Sequence, residues 1–246
     1  MNRVMFQRLL ATEAKLMLRE PALLFWGVAF PVVLTVVFGL AGDKHDKALG
    51  GLSLVDVYVP VMMVFSMGIL AISAIPTTLA TYRERGVLRR LSTTPLRPQA
   101  LLGADFTVAT GLITVAMALV VIVAKVAFSV QLPSQVLGWL VALILSGAAL
   151  LALGALIASV ATSARLATAV GTILFFPMMF FAGLWIPLQQ MGSTLRTISH
   201  YTPLGAAVPA IQQTMHGSWP DVSHLLVLAV YALVASLLAV RLFRWE

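Results

Sequence analysis

The chain has 246 residues, of which 60% are hydrophobic and 10% charged, with a mean hydropathy of +0.99. A soluble domain carries about 45–50% apolar and about 25% charged residues, so this chain has too few polar side chains to cover a water-facing surface, and lipid must be its solvent. Cysteine is absent, which excludes disulfides and thiolate metal sites and fits a bacterial inner-membrane protein. The net charge of +7 would suggest nucleic acid in a soluble protein, but here the loop charges explain it.

Residues 2–20 are amphipathic: Val4, Leu9, Leu16 and their neighbours alternate with Arg8, Glu13, Lys15 and Arg19 at helical spacing. This predicts an interfacial helix within 1–22, lying along the inner leaflet with its cations at the headgroups. A bilayer core of about 30 Å takes roughly 20 apolar residues of helix. Six segments meet that length: 23–40, 57–81, 104–127, 136–161, 167–186 and 225–242. Pro31 and Pro76 fall inside the first two and mark kinks, which a bundle tolerates when neighbours satisfy the freed carbonyls. Gly39-Leu40-Ala41 resembles a signal-peptidase site, but the apolar run and the segment before it are too long for a signal peptide, so span 1 is read as retained.

The loops set the orientation. Arg3, Arg8, Lys15, Arg19, Arg83, Arg85, Arg89, Arg90, Arg97, Arg165, Arg241 and Arg244 fall on one side, 12 of the 16 basic residues. Lys44, Lys47, Lys125 and Arg196 fall on the other. The bias predicts that both termini are cytoplasmic. The four histidines, His45, His200, His216 and His224, are then outside and are expected to be solvated.

Several chemistries find no support. None of the lysines follows a glycine in a G-x-x-x-x-G-K-[ST] pattern, so no P-loop is present for ATP, and the histidines lack metal-ligand spacing. Asp105 and Lys125 lie near opposite ends of span 3, where both are expected to snorkel. A coupled transporter would bury a carboxylate or a broken-helix ion site near the midplane. Neither that nor a nucleophile–base pair stands out, so the chain is expected to be no enzyme and to bind no cofactor of its own. Along span 4, Ala148, Ala152, Ala155 and Ser159 form a small-residue stripe for close packing.

Two connections carry the most information. After span 2, Val87, Leu88 and Leu91 recur at helical spacing while Arg89 and Arg90 project elsewhere, and Pro95 and Pro98 bound the stretch. This reads either as a short amphipathic helix parallel to the membrane or as a topogenic charge cluster. Between spans 5 and 6, the outer stretch 187–224 contains Pro187, Pro203, Pro209 and Pro220 and the short apolar segment 204–211. A run that short is re-entrant or interfacial rather than spanning.

The run Arg83-Glu84-Arg85-Gly86-x-Leu88-x-x-Leu91-x-x-x-Pro95-Leu96 resembles the loop of type-2 ABC exporter permeases, in particular the daunorubicin-resistance permease group. A second match runs from Phe176-Pro177 through Phe180-Phe181-Ala182-Gly183-Leu184-Trp185-Ile186-Pro187 to Tyr201-Thr202-Pro203-Leu204, and a weaker one from Arg19-Glu20-Pro21 towards Pro31. Ala182 departs from the serine of many relatives. The resemblance implies an all-α membrane protein of six transmembrane helices, with an N-terminal interfacial helix, a cytoplasmic coupling helix in 83–98 and re-entrant helices in 187–224. It also implies a dimer, with a second identical or paralogous permease, and two copies of a separate ATPase that holds ATP and Mg.

By the same analogy Arg83, Glu84, Arg85, Gly86, Leu88, Arg89, Arg90, Leu91 and Pro95 couple the chain to the ATPase, with Glu84 tying span 2 to the interfacial helix. Spans 2 and 5 are implied to line the path of cargo, which makes Met63, Phe65, Met67, Phe176, Met179 and Phe180 the candidate path residues. Methionine and phenylalanine adapt to varied apolar shapes. The cargo expected is an amphipathic drug, antibiotic or lipid. Export of a polysaccharide or lipid-linked glycan, and a non-transporting scaffold or sensor, are the alternatives.

Overall fold

The computed structural model describes residues 3–42, 49, 51–87 and 98–242. An amphipathic helix, Arg3–Met17, precedes six helices long and apolar enough to cross a membrane: Pro21–Ala41, Leu54–Glu84, Ala100–Phe128, Val136–Val160, Ala164–Phe181 and Val222–Leu242, here spans 1 to 6. Span 3 belongs to a helix that begins at Pro98. Two further helices, Ser193–His200 and Pro203–Met215, lie between spans 5 and 6. The all-helical six-span reading therefore holds, with span ends shifted by a few residues.

Span 2 is the axis of the bundle. Its apolar stretch is 83% buried, against 17% for spans 1 and 6, and Met62, Met63, Met67, Leu70 and Ile75 are sealed inside it. A proline lacks an amide proton, and its ring pushes against the carbonyl four residues back. Pro76 presses in this way on Ile72, and the helix answers with a π turn over Ile69–Ala74. Pro31 is likewise preceded by a π turn, Phe25–Ala29.

The widened turn of span 2 brings its carbonyls against the neighbouring helices. A Cβ on Gly154 of span 4 would lie 2.0 Å from the Ala71 oxygen, and one on Gly171 of span 5 would lie 2.7 Å from the Ile72 oxygen. Glycine at these two positions is therefore a steric requirement of the helix crossing. The packed face of span 4 is Ala142, Ser146, Ala149, Leu150, Gly154 and Ala158. This corrects the stripe read from the sequence: Ala148 is exposed, while Ala152 and Ser159 are buried.

The Pro203–Met215 helix is drawn into the bundle, with Leu204, Ala206, Ala207, Val208, Ala210 and Ile211 almost fully buried. The Thr202 hydroxyl caps it by accepting from the Gly205 amide at 3.1 Å, and Pro203 occupies the first turn, where no amide proton is needed. On the same side His224 of span 6, only 3% exposed, meets His200 with ring nitrogens 2.8 Å apart. That pair corrects the expectation that every histidine is solvated, although His216 is exposed as expected.

Gly154→Ala and Gly171→Ala should each destabilise the bundle by about 1–3 kcal/mol through overpacking. Gly111→Ala, with no atom within 4 Å of the added Cβ, should be neutral or slightly stabilising. Thermal unfolding of the purified chain in lipid nanodiscs measures all three.

Candidate functional site: the inner end of span 2 and the groove beside it

The last turn of span 2 presents three consecutive polar side chains to three different partners. The Tyr82 hydroxyl donates to Glu13 Oε2 of the interfacial helix at 2.6 Å. Arg83 Nη1 donates to the Ala158 and Ala161 carbonyls at 3.2 and 2.7 Å, where span 4 ends. Glu84 Oε1 accepts from the Ala164 amide at 3.1 Å, where span 5 begins. A helix carries partial negative charge at its C-terminus and partial positive charge at its N-terminus. Arg83 and Glu84 thus place a cation and an anion on the matching ends of two successive helices and hold the short connection between them.

The expected tie between Glu84 and the interfacial helix is made instead by its neighbour Tyr82, because Glu84 projects towards span 5. Sequence reasoning passed over Tyr82 and set Glu13 on the polar face of the first helix. In the structure Glu13 is 3% exposed, and burial raises its pKa above the ordinary value while the Tyr82 hydrogen bond opposes the rise. Asp105 does not snorkel: it is fully buried, and neither of its oxygens has a hydrogen-bond partner among the described residues. An inward-facing carboxyl at the end of a span is a functional candidate by default. Lys125 is exposed, as expected.

Gly86 follows with a φ of +64°, the left-handed conformation that favours glycine, and its amide donates to the Arg83 carbonyl at 3.0 Å. The helix therefore stops here and the chain turns towards the first loop. The remaining expected coupling residues, Leu88, Arg89, Arg90, Leu91 and Pro95, lie outside the described residues.

From this end of span 2 a groove of about 830 Å³ runs between the first helix and span 1 on one side and spans 2 and 5 on the other. Its lining on span 2 extends from Phe65 to Arg85, which at about 1.5 Å per residue is roughly 30 Å, the thickness of a bilayer core. Trp26, Phe30, Leu34 and Phe38 of span 1 form an apolar wall. The facing wall carries Phe65, Ile69, Phe175 and Phe176 together with a ladder of hydroxyl residues: Ser73, Thr77 and Thr81 one turn apart on span 2, and Thr168 and Thr172 on span 5. The i, i+4, i+8 spacing of Ser73, Thr77 and Thr81 was visible in the sequence as a polar stripe, but the methionines drew the attention.

Of the candidate path residues, Phe65 and Phe176 line this groove. Met63, Met67 and Met179 are 0 to 2% exposed inside the packed core and reach no open surface. Phe180 is half-buried, its ring 6.5 Å from that of the groove residue Trp185. The path residues read from composition thus divide into two that face the groove and three that hold the bundle together, with Phe180 at the margin.

The profile of the family described as ABC-2 type transporter matches residues 5–216. The chain belongs to the ABC-2 type transporter family. Among curated proteins, no match to the chain is found. As an ABC-2 permease it is a multi-pass membrane subunit of an ABC transporter, a transport component rather than the ATPase, and the family works with a partner ATPase. The groove, its hydroxyl wall and the three-way junction all fall within the matched residues.

The junction predicts a graded response to substitution. Arg83→Ala removes two charge-assisted hydrogen bonds and should cost about 1.5–3 kcal/mol. Glu84→Ala removes an exposed helix-end interaction and should cost about 0.3–1 kcal/mol. Chemical unfolding in nanodiscs checks the order, and a larger loss for Glu84→Ala would contradict it.

Proposed function

We propose that the chain is the membrane subunit of an ATP-driven exporter that moves amphipathic molecules out of the cell. It would sit in a bacterial inner membrane with both termini cytoplasmic and act as a dimer of permeases on two copies of a separate ATPase. The observation that carries this reading is the groove, which is as long as the bilayer core is thick, apolar on one wall and marked by a stripe of hydroxyl residues on the other. Such a surface suits a molecule with one greasy and one polar side better than a glycan, which would need donors and acceptors on all sides. The orientation is supported by the 12-to-4 distribution of basic residues and by the junction, which gathers the interfacial helix, the end of span 2 and the span 4–5 connection at one end.

The coupling route follows from that junction. Movement of the loop 83–98 by the ATPase pulls on the end of span 2. Arg83 and Glu84 carry the pull to spans 4 and 5, and Tyr82 carries it to the interfacial helix. The groove lies between these elements, so a rigid-body shift of span 2 changes its width.

Co-expression with candidate ATPase subunits, purification of the complex and reconstitution into proteoliposomes test the reading. ATP should drive a fluorescent amphiphile across the membrane, and Glu84→Ala together with Arg83→Ala should lower transport more than ATP hydrolysis. A complex that hydrolyses ATP but moves a soluble oligosaccharide and no amphiphile would overturn the cargo assignment. Full transport by the double variant at equal protein level would overturn the coupling route.

A further inference from the structure

Among the described residues, the ionisable side chains that line the groove are few and unbalanced. At its inner mouth stand Glu13, Glu20, Tyr82 and Arg85, two carboxyls to one guanidinium, with the buried carboxyl of Asp105 close enough to interact with both glutamates. The sequence assigns 12 of the 16 basic residues to the side of the membrane where this mouth opens, so two carboxyls there run against that bias.

The hydroxyl wall is polar but carries no formal charge. Thr77, Thr81 and Thr168 each donate to the carbonyl four residues back, to Ser73, Thr77 and Ala164, at 2.8, 2.7 and 3.0 Å. A hydroxyl whose proton is turned into its own helix presents oxygen lone pairs outward. The Thr77 and Thr168 oxygens also meet each other at 3.1 Å, so the wall is a polar stripe that offers a hydroxyl as donor or acceptor. Opposite it, Trp26 is 47% exposed and its ring lies 4.9 Å from that of Phe30. Aromatic faces attract cations, tryptophan most strongly.

We propose that the groove takes a lipophilic cation, with its charge between Glu13 and Glu20 at the inner mouth and its apolar body along Trp26, Phe30 and Leu34. The proposal rests on the export reading and narrows it to a substrate class. An anion of the same shape would face two carboxyl groups and no compensating pair of cations, so charge complementarity disfavours it. A neutral amphiphile would leave the mouth unpaired.

The buried position of Glu13 gives the site a pH dependence. Burial raises the Glu13 pKa, so the empty groove keeps its proton to a higher pH than a free glutamate would. A bound cation favours the ionised form. Binding therefore releases a proton and strengthens as pH rises through the raised value. Tyr82 of span 2 hydrogen-bonds Glu13, Asp105 of span 3 interacts with it, and Arg85 just after span 2 and Glu20 just before span 1 share the mouth with it.

Tetraphenylphosphonium and tetraphenylborate, a cation and an anion of nearly the same size and greasiness, supply the test. Binding to the full chain in nanodiscs is measured by equilibrium dialysis against empty nanodiscs across a pH series. The phosphonium should bind saturably, tighter at higher pH, and the borate should neither bind saturably nor compete. Glu13→Gln, which keeps an acceptor for the Tyr82 hydroxyl, should weaken phosphonium binding about tenfold, the effect of one lost charge contact, and flatten its pH dependence. Trp26→Leu, at an exposed position, should weaken it several-fold without altering the pH profile.

Equal binding of borate and phosphonium would overturn the proposal, as would unchanged phosphonium binding in both variants. The outcome for export is read separately in proteoliposomes with the ATPase. ATP-driven movement of a neutral amphiphile without phosphonium binding would overturn the cation assignment and leave export standing. Glu13-dependent phosphonium binding without ATP-driven movement of any amphiphile would support the site and overturn export.

Discussion

In hydrocarbon there is no water to rescue a backbone group that loses its partner, and each unsatisfied N–H or C=O costs several kcal/mol. Span 2 meets this constraint in an unusual place. Pro76 displaces the carbonyl of Ile72, and the π turn over Ile69–Ala74 widens the helix. Spans 4 and 5 then approach through Gly154 and Gly171, closely enough that a methyl group would collide with the Ala71 and Ile72 oxygens. Close passage at mid-helix fixes where the ends of these helices meet. Because spans 4 and 5 are drawn against span 2 at its kink, the connection between them lies beside the end of span 2, within reach of Arg83 and Glu84.

The junction that results is economical in sequence. Three adjacent residues reach three elements, which one helical turn allows because successive side chains point about 100° apart. Tyr82 faces the interfacial helix, Arg83 the end of span 4 and Glu84 the start of span 5. In the proposed coupling route such a junction would move as one body and link the loop 83–98 to the walls of the groove. The kink sets the close packing of spans 2, 4 and 5, and the junction would pass displacement to it.

Much of this was legible in the amino-acid order. The six spans, the interfacial helix, the kinks at Pro31 and Pro76 and the family motifs follow from hydropathy, proline chemistry and local pattern, which depend on neighbours in sequence. The partners of Glu84 and Tyr82 were not legible, since both bonds cross about 70 to 80 positions and nothing local distinguishes a glutamate that caps a distant helix from one that faces its own. Glu13 looked solvated because it sits among Lys15 and Arg19 in sequence; tertiary packing, which periodicity does not contain, turns it inward. The methionines of span 2 misled for a related reason. Their adaptable shape suits a cargo surface and a helix core equally well, and burial decides between them.

The central claim is that the end of span 2 and the span 4–5 connection form one rigid unit whose movement opens or narrows the groove. Because the chain has no cysteine, spin labels can be placed at will, and pulsed electron paramagnetic resonance on the complex with its ATPase gives distances with and without ATP. Labels at Arg85→Cys and Thr162→Cys report on the junction, and labels at Leu16→Cys and Thr172→Cys report across the groove. The account predicts an unchanged distance for the first pair and a shifted distance for the second when ATP binds. A first pair that separates while the second stays fixed would contradict it.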